Sequence, residues 1–369
     1  MIENINNQVS YLSFPIYVWW DITNKCNFNC LHCYSRSGPN NDSSDELTID
    51  EIKKIILDLS KNGIFFIYFL GGEPFIRHDF MEIITFARKC NIGIMVNTNG
   101  WFITENIAER LKAIEIGNVR VSLDGATQNT HDYFRKKTGA FSRAVSALKN
   151  LKAARINKIS AVATITKYNI SEINELIDLA FSMGVNDIQC VPLSNCGRGF
   201  DNYIDFGLEI EDTISLRKAL DQKKKQYNGR MVVYAVDGVL DNPCTICVKE
   251  GKVRPDFMGC RAGRTACNID YNGNIIPCLI VREPIAGNVR DQSFKEIWDN
   301  SAIFRAWRQK HMEYEECKNC EWNDICVREC PASPSQKDVI GQTRIDAIRK
   351  IKKKWGEKNN CNLGVIGVL

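Results

Sequence analysis

The sequence lacks the features of membrane, secreted and nucleic-acid-binding proteins. Its 369 residues contain no apolar run long enough to span a membrane. The amino-terminal segment MIENINNQVS has neither the basic flank nor the apolar run of a signal peptide. A net charge of +4 is too small for this length to indicate a nucleic-acid-binding surface. We therefore expect a cytoplasmic globular protein with neither a membrane nor a nucleic acid as its partner.

Cysteine, in contrast, is abundant, with sixteen residues in the chain. In a reducing compartment, a high cysteine content indicates metal or redox chemistry rather than disulfides. Cys26, Cys30 and Cys33 lie together near the amino terminus, and most of the others follow Cys244. A disulfide framework would have no reason to leave the long middle of the chain almost without cysteine, so the distribution favours metal binding.

The first two thirds of the chain alternate short apolar runs with helical patterns. The apolar runs predict strands at 16–22, 64–70, 92–96, 119–123, 159–164 and 187–191. The intervening patterns predict helices at 48–62, 79–90, 104–114, 141–154 and 171–183. The first helix opens with Thr48 and Glu51 at the spacing of a capping box. Continuous apolar strands separated by helices are typical of parallel βα units, and the pattern stops after six. This predicts an α/β fold with a partial (β/α)6 TIM-like barrel.

The alternation weakens beyond the sixth strand. The pattern predicts a charged helix at 209–227, a short strand at 231–236, and further helices at 294–309 and 345–355. We expect an amino-terminal extension at 1–15, the barrel at 16–236 and a small cysteine-rich domain at 237–369.

Polar or glycine-rich residues follow most of the predicted strands. They are Asp21, Gly71-Gly72-Glu73-Pro74, Asn97-Thr98-Asn99-Gly100, Ser122-Leu123-Asp124-Gly125 and Val191-Pro192-Leu193. Barrels of this kind carry their chemistry at the carboxyl ends of the strands, so we expect these residues on one rim. Asp124 is the candidate catalytic acid or base there.

Three cysteines lie within eight residues directly after the first predicted strand. Four cysteines would saturate a [4Fe–4S] cluster, whereas Cys26, Cys30 and Cys33 would leave one iron free for a substrate or cofactor. A zinc site completed by His32 is the alternative, since structural zinc takes four ligands. The loop alone favours the cluster and leaves zinc open.

This CxxxCxxC loop resembles the signature of the radical S-adenosylmethionine (SAM) superfamily. The resemblance implies a [4Fe–4S] cluster on the three cysteines, with SAM chelated to the free iron through its methionyl amine and carboxylate. It also implies reductive cleavage of SAM to a 5′-deoxyadenosyl radical that abstracts hydrogen from the substrate. An electron donor such as flavodoxin or ferredoxin is then a partner.

The same resemblance implies roles for residues at the strand ends. His32 would lie beside the adenine, Gly71, Gly72 and Glu73 at the methionyl amine, Asn99 and Ser122 at the ribose or methionyl group, Arg135 at the methionyl carboxylate, and Val191 and Leu193 along the adenine. Two glycines would let the backbone approach the ligand, and a guanidinium suits a carboxylate. Taken singly, each motif is also compatible with an ordinary turn or a surface charge.

The carboxyl-terminal cysteines resemble a seven-cysteine SPASM domain, with Cys267 as an eighth. The resemblance implies two auxiliary [4Fe–4S] clusters, the first on Cys260, Cys267, Cys278 and Cys330 and the second on Cys317, Cys320, Cys326 and Cys361. A zinc ribbon is the alternative. Cys361 lies far from Cys330, which leaves the fourth ligand of the second cluster open. Cys244 and Cys247 have no fixed place in the pattern.

The block GCRAGRT at 259–265 resembles mycofactocin-type peptide maturases and the related haem-biosynthetic branch. We expect an enzyme that modifies a ribosomally made precursor peptide by hydrogen abstraction, giving a crosslink, oxidation, decarboxylation or epimerisation. The alternatives are tetrapyrrole chemistry in haem biosynthesis, a sulfatase-maturase-like protein modifier, and a zinc-binding interaction protein without catalysis. Only about fifteen residues precede the first strand, so we expect leader-peptide recognition to need a separate partner or the enzyme's own surfaces.

Overall fold

The computed structural model describes residues 2–3, 11–235 and 261–308. Several predictions fall outside these residues. They are the helix at 345–355, the boundary near 237, and the cysteines Cys244, Cys247, Cys260, Cys317, Cys320, Cys326, Cys330 and Cys361.

The described residues form twelve strands and eleven α-helices. The strands are β1 (Ile2–Glu3), β2 (Tyr11–Leu12), β3 (Tyr17–Asp21), β4 (Phe66–Leu70), β5 (Gly93–Thr98), β6 (Asn118–Ser122), β7 (Ile159–Ile165), β8 (Asp187–Pro192), β9 (Val232–Ala235), β10 (Ala266–Ile269), β11 (Asn274–Ile276) and β12 (Gly287–Asn288). The helices are α1 (Ile49–Lys61), α2 (Phe80–Lys89), α3 (Glu105–Ala113), α4 (Gln128–Arg135), α5 (Ala140–Ala153), α6 (Ile173–Ser182), α7 (Gly197–Asp201), α8 (Tyr203–Phe206), α9 (Ile210–Gln226), α10 (Phe294–Asn300) and α11 (Ala302–Arg308).

One ten-stranded sheet organises the chain, in the order β12-β11-β10-β3-β4-β5-β6-β7-β8-β9. The six predicted strands are β3 to β8, and they lie side by side and parallel, which confirms the partial barrel. The strand β9 extends this array in parallel beside β8. At the other edge β10 pairs in parallel with β3, and β11 and β12 follow antiparallel. The segment after residue 260 therefore continues the barrel sheet.

The strands bury one face completely under the helices. Alternate residues such as Val18, Trp20, Ile67 and Phe69 are entirely buried in the core, because successive strand side chains point to opposite faces. The residues between them are only partly buried and face the side that the helices leave uncovered. The capping box predicted at Thr48 is confirmed at the start of α1.

Two helical predictions need correction. The helix α4 was missed because its sequence QNTHDYFR contains few apolar residues; it begins at the capping residue Thr127, whose hydroxyl accepts from Thr130 N–H. The single helix predicted at 294–309 is wrong, because α10 and α11 are separated by Ser301, whose extended backbone (ψ 128°) interrupts the helix.

None of the helices in the part of the chain that the structure describes combines the length and the apolar character needed to cross a membrane.

Candidate active site

The three-cysteine loop follows β3, at the carboxyl end of the parallel strands. Cys26 and Cys30 are buried, and Cys33 is partly buried, together with Phe28 and Trp101. Burial raises the pKa of Cys26 to about 12 and that of Cys30 to about 11, and the neighbouring thiols push both in the same direction. Three thiolates could share this space only beside positive charge, as a metal centre supplies.

The surroundings of the thiols fit an iron–sulfur cluster. Phe28 N–H lies 3.4 Å from Cys26 Sγ, Asn99 Nδ2 lies 3.9 Å from the same sulfur, and Arg135 Nη1 lies 3.8 Å from Cys30 Sγ. Donors aimed at sulfur are how proteins stabilise ligating thiolates. Across the described ranges, no three His, Cys, Asp or Glu side chains gather as tightly as a single metal ion requires. The donors around the Cys26 and Cys30 sulfurs are thus placed to stabilise ligating thiolates, as a cluster would require.

Gly71 and Gly72 bring the end of β4 against the segment that leads into the cysteine loop. A Cβ at Gly71, whose φ is +122°, would lie 2.4 Å from Thr23 O, and one at Gly72 would lie 1.9 Å from Lys25 O. The N–H groups of Gly72 and Glu73 donate to these same carbonyl oxygens. The close approach that requires glycine is thus to the protein backbone at 23–26.

Glu73 joins the ends of β4 and β5 to this loop. Its buried carboxylate accepts hydrogen bonds from Asn99 N–H (2.7 Å) and Thr98 Oγ1 (2.8 Å). Burial raises the pKa of Glu73 to about 7, although these hydrogen bonds oppose the shift. Asn99 in turn donates through Nδ2 to Asn27 Oδ1 at 2.9 Å, inside the cysteine loop. Glu73 and Asn99, both predicted from sequence, therefore lie together beside the thiols.

Asp124, Arg135 and His32 form a second buried group next to the thiols. Arg135 Nε lies 2.6 Å from Asp124 Oδ2, and His32 Nε2 lies 3.4 Å from the same oxygen. Burial lowers the pKa of His32 to about 4, which keeps the imidazole neutral at neutral pH. Its ring stacks on Phe134 at 5.3 Å. The guanidinium of Arg135 thus lies between a carboxylate and a cysteine sulfur.

Three hydrogen bonds with neighbouring segments fix the position of Asp124. Its Oδ1 accepts from Thr164 N–H at 2.8 Å, its own N–H donates to His131 Nδ1 at 3.0 Å, and Asn169 Nδ2 donates to its carbonyl oxygen at 2.7 Å. Burial opposes ionisation, but Arg135 and His32 outweigh it and lower the pKa of Asp124 to about 2. A permanently charged and fully surrounded carboxylate is suited to orienting its neighbours rather than to exchanging protons.

The segment after β8 makes hydrogen bonds that hold the cysteine loop in place. The sequence did not reveal this contact. Arg198 donates through Nε to Cys30 O (2.7 Å) and through Nη2 to Ser37 O (2.8 Å), and its N–H donates to Cys33 O (2.9 Å). Asn202 Nδ2 donates to Leu31 O at 3.0 Å. The GRG triplet at 197–199 was the available signal: a Cβ at Gly197 would lie 2.4 Å from Cys33 O, so this close contact requires glycine.

The remaining predicted cofactor residues lie further along the same rim. Ser122 ends β6 and Val191 lies near the end of β8, both partly exposed on the face without helices, and Leu193 is buried just beyond β8. Their predicted contacts with SAM stay predictions.

The carboxyl-terminal segment meets the barrel beside the first strand. Cys267 lies in β10 opposite Val18, and both Cys267 and Cys278 are buried. Asp21, at the end of β3, accepts hydrogen bonds from Tyr34 and Asn268 and forms an ion pair with Arg282. The cysteine loop and the segment that carries Cys278 therefore share one buried carboxylate.

A three-cysteine loop at the rim of a partial parallel barrel, with Glu73, Asp124 and Arg135 buried beside it, fits the class of radical SAM enzymes. Residues 20–180 match the family model of the radical SAM superfamily, and residues 260–321 match that of SPASM, an iron–sulfur cluster-binding domain. The chain belongs to the radical SAM superfamily and carries a SPASM domain. It is therefore an enzyme that binds a [4Fe–4S] cluster and SAM.

Similar proteins include mycofactocin maturases, AdoMet-dependent heme synthases and an Fe-coproporphyrin III synthase. The chain is 33% identical to the mycofactocin maturase MftC of Mycobacterium tuberculosis over 87% of this chain and 80% of that protein. It is 28% identical to the AdoMet-dependent heme synthase of Methanosarcina barkeri over 86% of this chain and 92% of that protein. The fold is similar to that of Streptococcus suis SuiB bound to its precursor peptide SuiA, with a TM-score of 0.71 and 18% identity over 88% and 74% of the two chains.

Proposed function

We propose that this enzyme modifies a ribosomally made precursor peptide by abstracting a hydrogen atom from it. The observation that carries the proposal is the similarity to mycofactocin maturase, which extends over both domains of the chain and four fifths of that relative. The fold shared with SuiB, a structure bound to a precursor peptide, is consistent with it. The reaction class covers crosslinking, oxidation, decarboxylation and epimerisation.

We assign the cluster to Cys26, Cys30 and Cys33, whose thiols the structure brings together beside amide and guanidinium donors. When bound and reduced, the cluster supplies the electron that cleaves SAM. Glu73 and Arg135 offer opposite charges on the two sides of the loop, which suit the ammonium and carboxylate of the methionyl group. His32 with Val191 and Leu193 is assigned to the adenine, and Asn99 and Ser122 to the ribose or methionyl group.

We assign Asp124 a positioning role. Its ion pair fixes the direction of the Arg135 guanidinium, and its contact with His32 Nε2 fixes the plane of the neutral imidazole. Both of its oxygens face protein groups. The proton carrier for the substrate is therefore to be found elsewhere on the rim.

The auxiliary clusters are assigned to the SPASM cysteines. Cys260, Cys267, Cys278 and Cys330 would hold the first and Cys317, Cys320, Cys326 and Cys361 the second, with domain limits at 16–236 and 237–369. Burial raises the pKa of both Cys267 and Cys278, so their ionised forms need a metal, as a cluster supplies. A flavodoxin or ferredoxin as electron donor, a separate leader-recognition protein and a cytoplasmic location complete the proposal.

Tetrapyrrole chemistry is the second candidate function. The observation that favours it is the similarity to AdoMet-dependent heme synthase, of which the chain covers 92%. Both candidate substrates would use the same cluster and SAM site, so they differ in what occupies the rest of the barrel.

Parallel assays of the anaerobically reconstituted enzyme separate the two candidates. The enzyme is incubated with SAM and dithionite, in one reaction with the short peptides encoded beside its gene and in another with iron-coproporphyrin III. Mass spectrometry follows both 5′-deoxyadenosine and the mass of each substrate. We expect a peptide to change mass in step with 5′-deoxyadenosine, and only in the presence of intact Cys26, Cys30 and Cys33. Modification of the porphyrin with every peptide unchanged would reject the first proposal in favour of the second.

A further inference from the structure

The uncovered face of the barrel sheet carries polar side chains that the cofactor site does not use. On β3, β4, β5, β6 and β8 alternate residues are fully buried, and the residues between them are partly buried and face the opposite side of the sheet. On that side lie the aromatic residues Tyr17, Trp19 and Tyr68 and three polar ones. The polar residues are Asn97 on β5, Arg120 on β6 and Gln189 on β8.

These three polar side chains have buried atoms without partners. Asn97 Oδ1, Arg120 Nε and Gln189 Oε1 are withdrawn from water and make no hydrogen bond to any described residue. Within the same residues, Arg120 forms no ion pair, although its charge is permanent. Buried polar groups are normally satisfied, so the unpaired Nε–H of the Arg120 guanidinium indicates a place for an acceptor group of a ligand.

The strand register places Asn97 beside Arg120, with Gln189 two strands away from Arg120. Asn97 and Arg120 are directly opposed on neighbouring strands. Ser122 on β6 and Gln189 on β8 both pair with Val162 on β7, the strand between them. Gln189 is therefore level with Ser122 and two residues beyond Arg120 along the strands. Arg120 precedes Ser122 by two residues on the same face, which is about 7 Å along a strand. Arg120 therefore lies below the predicted SAM site.

Aromatic rings lie on the same face of the sheet, on the neighbouring strands β3 and β4. Tyr17 contacts Trp19 and Tyr68, with ring centroids 5.1 Å apart in both pairs. Arg120 is close enough to Tyr68 for its charge to counteract the rise that burial causes in the pKa of the phenol. This face of the sheet thus places the Arg120 cation beside aromatic rings, and the charge of Arg261 also acts on Tyr68.

We propose that the guanidinium of Arg120 anchors a carboxylate group of the substrate in the barrel, while the rings of Tyr17, Trp19 and Tyr68 receive the apolar part next to it. A guanidinium presents two parallel N–H donors that match a carboxylate. The inference rests on the proposed function, because it places the substrate below SAM. A peptide can supply the carboxylate from its terminus or an acidic side chain, and a porphyrin can supply it from a propionate.

The test measures binding without turnover, on the iron-loaded enzyme with SAM present and no reductant. The probe is 3-phenylpropanoate, compared with 3-phenylpropanamide by calorimetry. We expect the acid to bind the wild type about tenfold more tightly than the amide, and Arg120→Gln to lose that difference. Arg120→Lys, which keeps the positive charge, should restore part of it. Arg110→Gln, on the exposed surface of α3, is the matched control and should bind like the wild type.

Two further arms identify the source of the carboxylate. One compares an alanine peptide ending in phenylalanine as free acid and as amide, and the other compares iron-coproporphyrin III with its methyl ester. The substrate class is the one whose ligand binds more weakly both when its carboxylate is blocked and when Arg120 is replaced. Equal binding of acid and amide to the wild type, unchanged acid binding by Arg120→Gln, or a response in neither arm would overturn the inference. Arg120-dependent binding without any turnover would instead reject the proposed function alone.

Discussion

The ion pair between Asp124 and Arg135 is almost fully withdrawn from water, with side-chain exposures of 0% and 10%. A buried charge pair gains little from its burial, but removing one partner leaves the other charge unpaired. In this site the unpaired group would be the guanidinium assigned to the methionyl carboxylate. The two residues should therefore act as one unit toward SAM.

Asp124→Asn should weaken SAM binding nearly as much as Arg135→Ala, and the double variant should lose little more. Removing one partner of a buried charge pair typically costs about 2–5 kcal/mol, and coupled residues are not additive. Equilibrium dialysis of SAM against the iron-loaded variants measures this. Asp201→Asn, which breaks only the exposed pair with Arg36, is the control. Wild-type affinity in Asp124→Asn, or fully additive losses, would contradict the positioning role.

Glu73 gives the site a pH dependence. Burial raises the pKa of this carboxyl to about 7, so in the SAM-free enzyme it is protonated below that pH and charged above it. Only the charged form attracts an ammonium, so SAM affinity should fall as pH drops, by roughly tenfold between pH 7.5 and 6. Glu73→Gln should bind SAM weakly, and its affinity should change little over this pH range. If the SAM affinity of wild type and variant changed equally with pH in one buffer series, another group would be responsible for the titration.

At the scale of elements, the segment from Gly197 to Asn202 is part of the cluster site although it follows the sixth strand. Arg198 and Asn202 together satisfy the carbonyl oxygens of Cys30, Leu31, Cys33 and Ser37. A loop with few regular hydrogen bonds of its own depends on such outside donors to hold its ligands in place.

Arg198→Ala should therefore loosen the amino-terminal cluster. A carbonyl oxygen left without a donor in a buried place costs about 1–3 kcal/mol. Ser37 O would lose its side-chain donor, and Cys30 O would keep only the long 3.4 Å bond from Cys33 N–H. The rate at which a chelator removes iron from the reduced protein should rise by about tenfold or more for the amino-terminal cluster, while the auxiliary iron keeps the wild-type rate. Arg36→Ala breaks the exposed pair with Asp201 at the end of the same short helix and should leave the rate unchanged. If both variants lost iron alike, the packing of the helix would be responsible, and the hydrogen bonds of Arg198 would not.

The order of elements could be predicted because each strand is a continuous apolar run and each long helix has an apolar face. The predicted strands also indicated which residues lie at their carboxyl ends. Glu73, Asn99 and Asp124 could therefore be placed near the thiols. Local patterns could not show α4, whose stability depends on its contacts with the rest of the barrel. They could not assign Arg198 either, because its partners lie more than 160 residues away.

At the scale of the whole molecule, the sheet unites the two parts of the chain. The strand β10 extends the barrel sheet beside β3, and Arg282 pairs with Asp21 at the end of that strand. Tyr34, which follows the last cysteine of the loop, donates to the same carboxylate at 2.8 Å. The SPASM segment is thus attached beside the cysteine loop, with Cys267 on β10 next to β3.

The central claim is that Cys26, Cys30 and Cys33 hold a four-iron cluster that cleaves SAM. Its most direct test is the iron content of the anaerobically reconstituted wild type and of the triple Cys→Ala variant, with 5′-deoxyadenosine measured in the same samples after dithionite reduction. Three clusters predict about twelve irons per wild-type chain and about eight in the triple variant, which should form no 5′-deoxyadenosine. Equal iron in the two proteins, SAM cleavage by the triple variant, or stoichiometric zinc in place of iron would contradict the account.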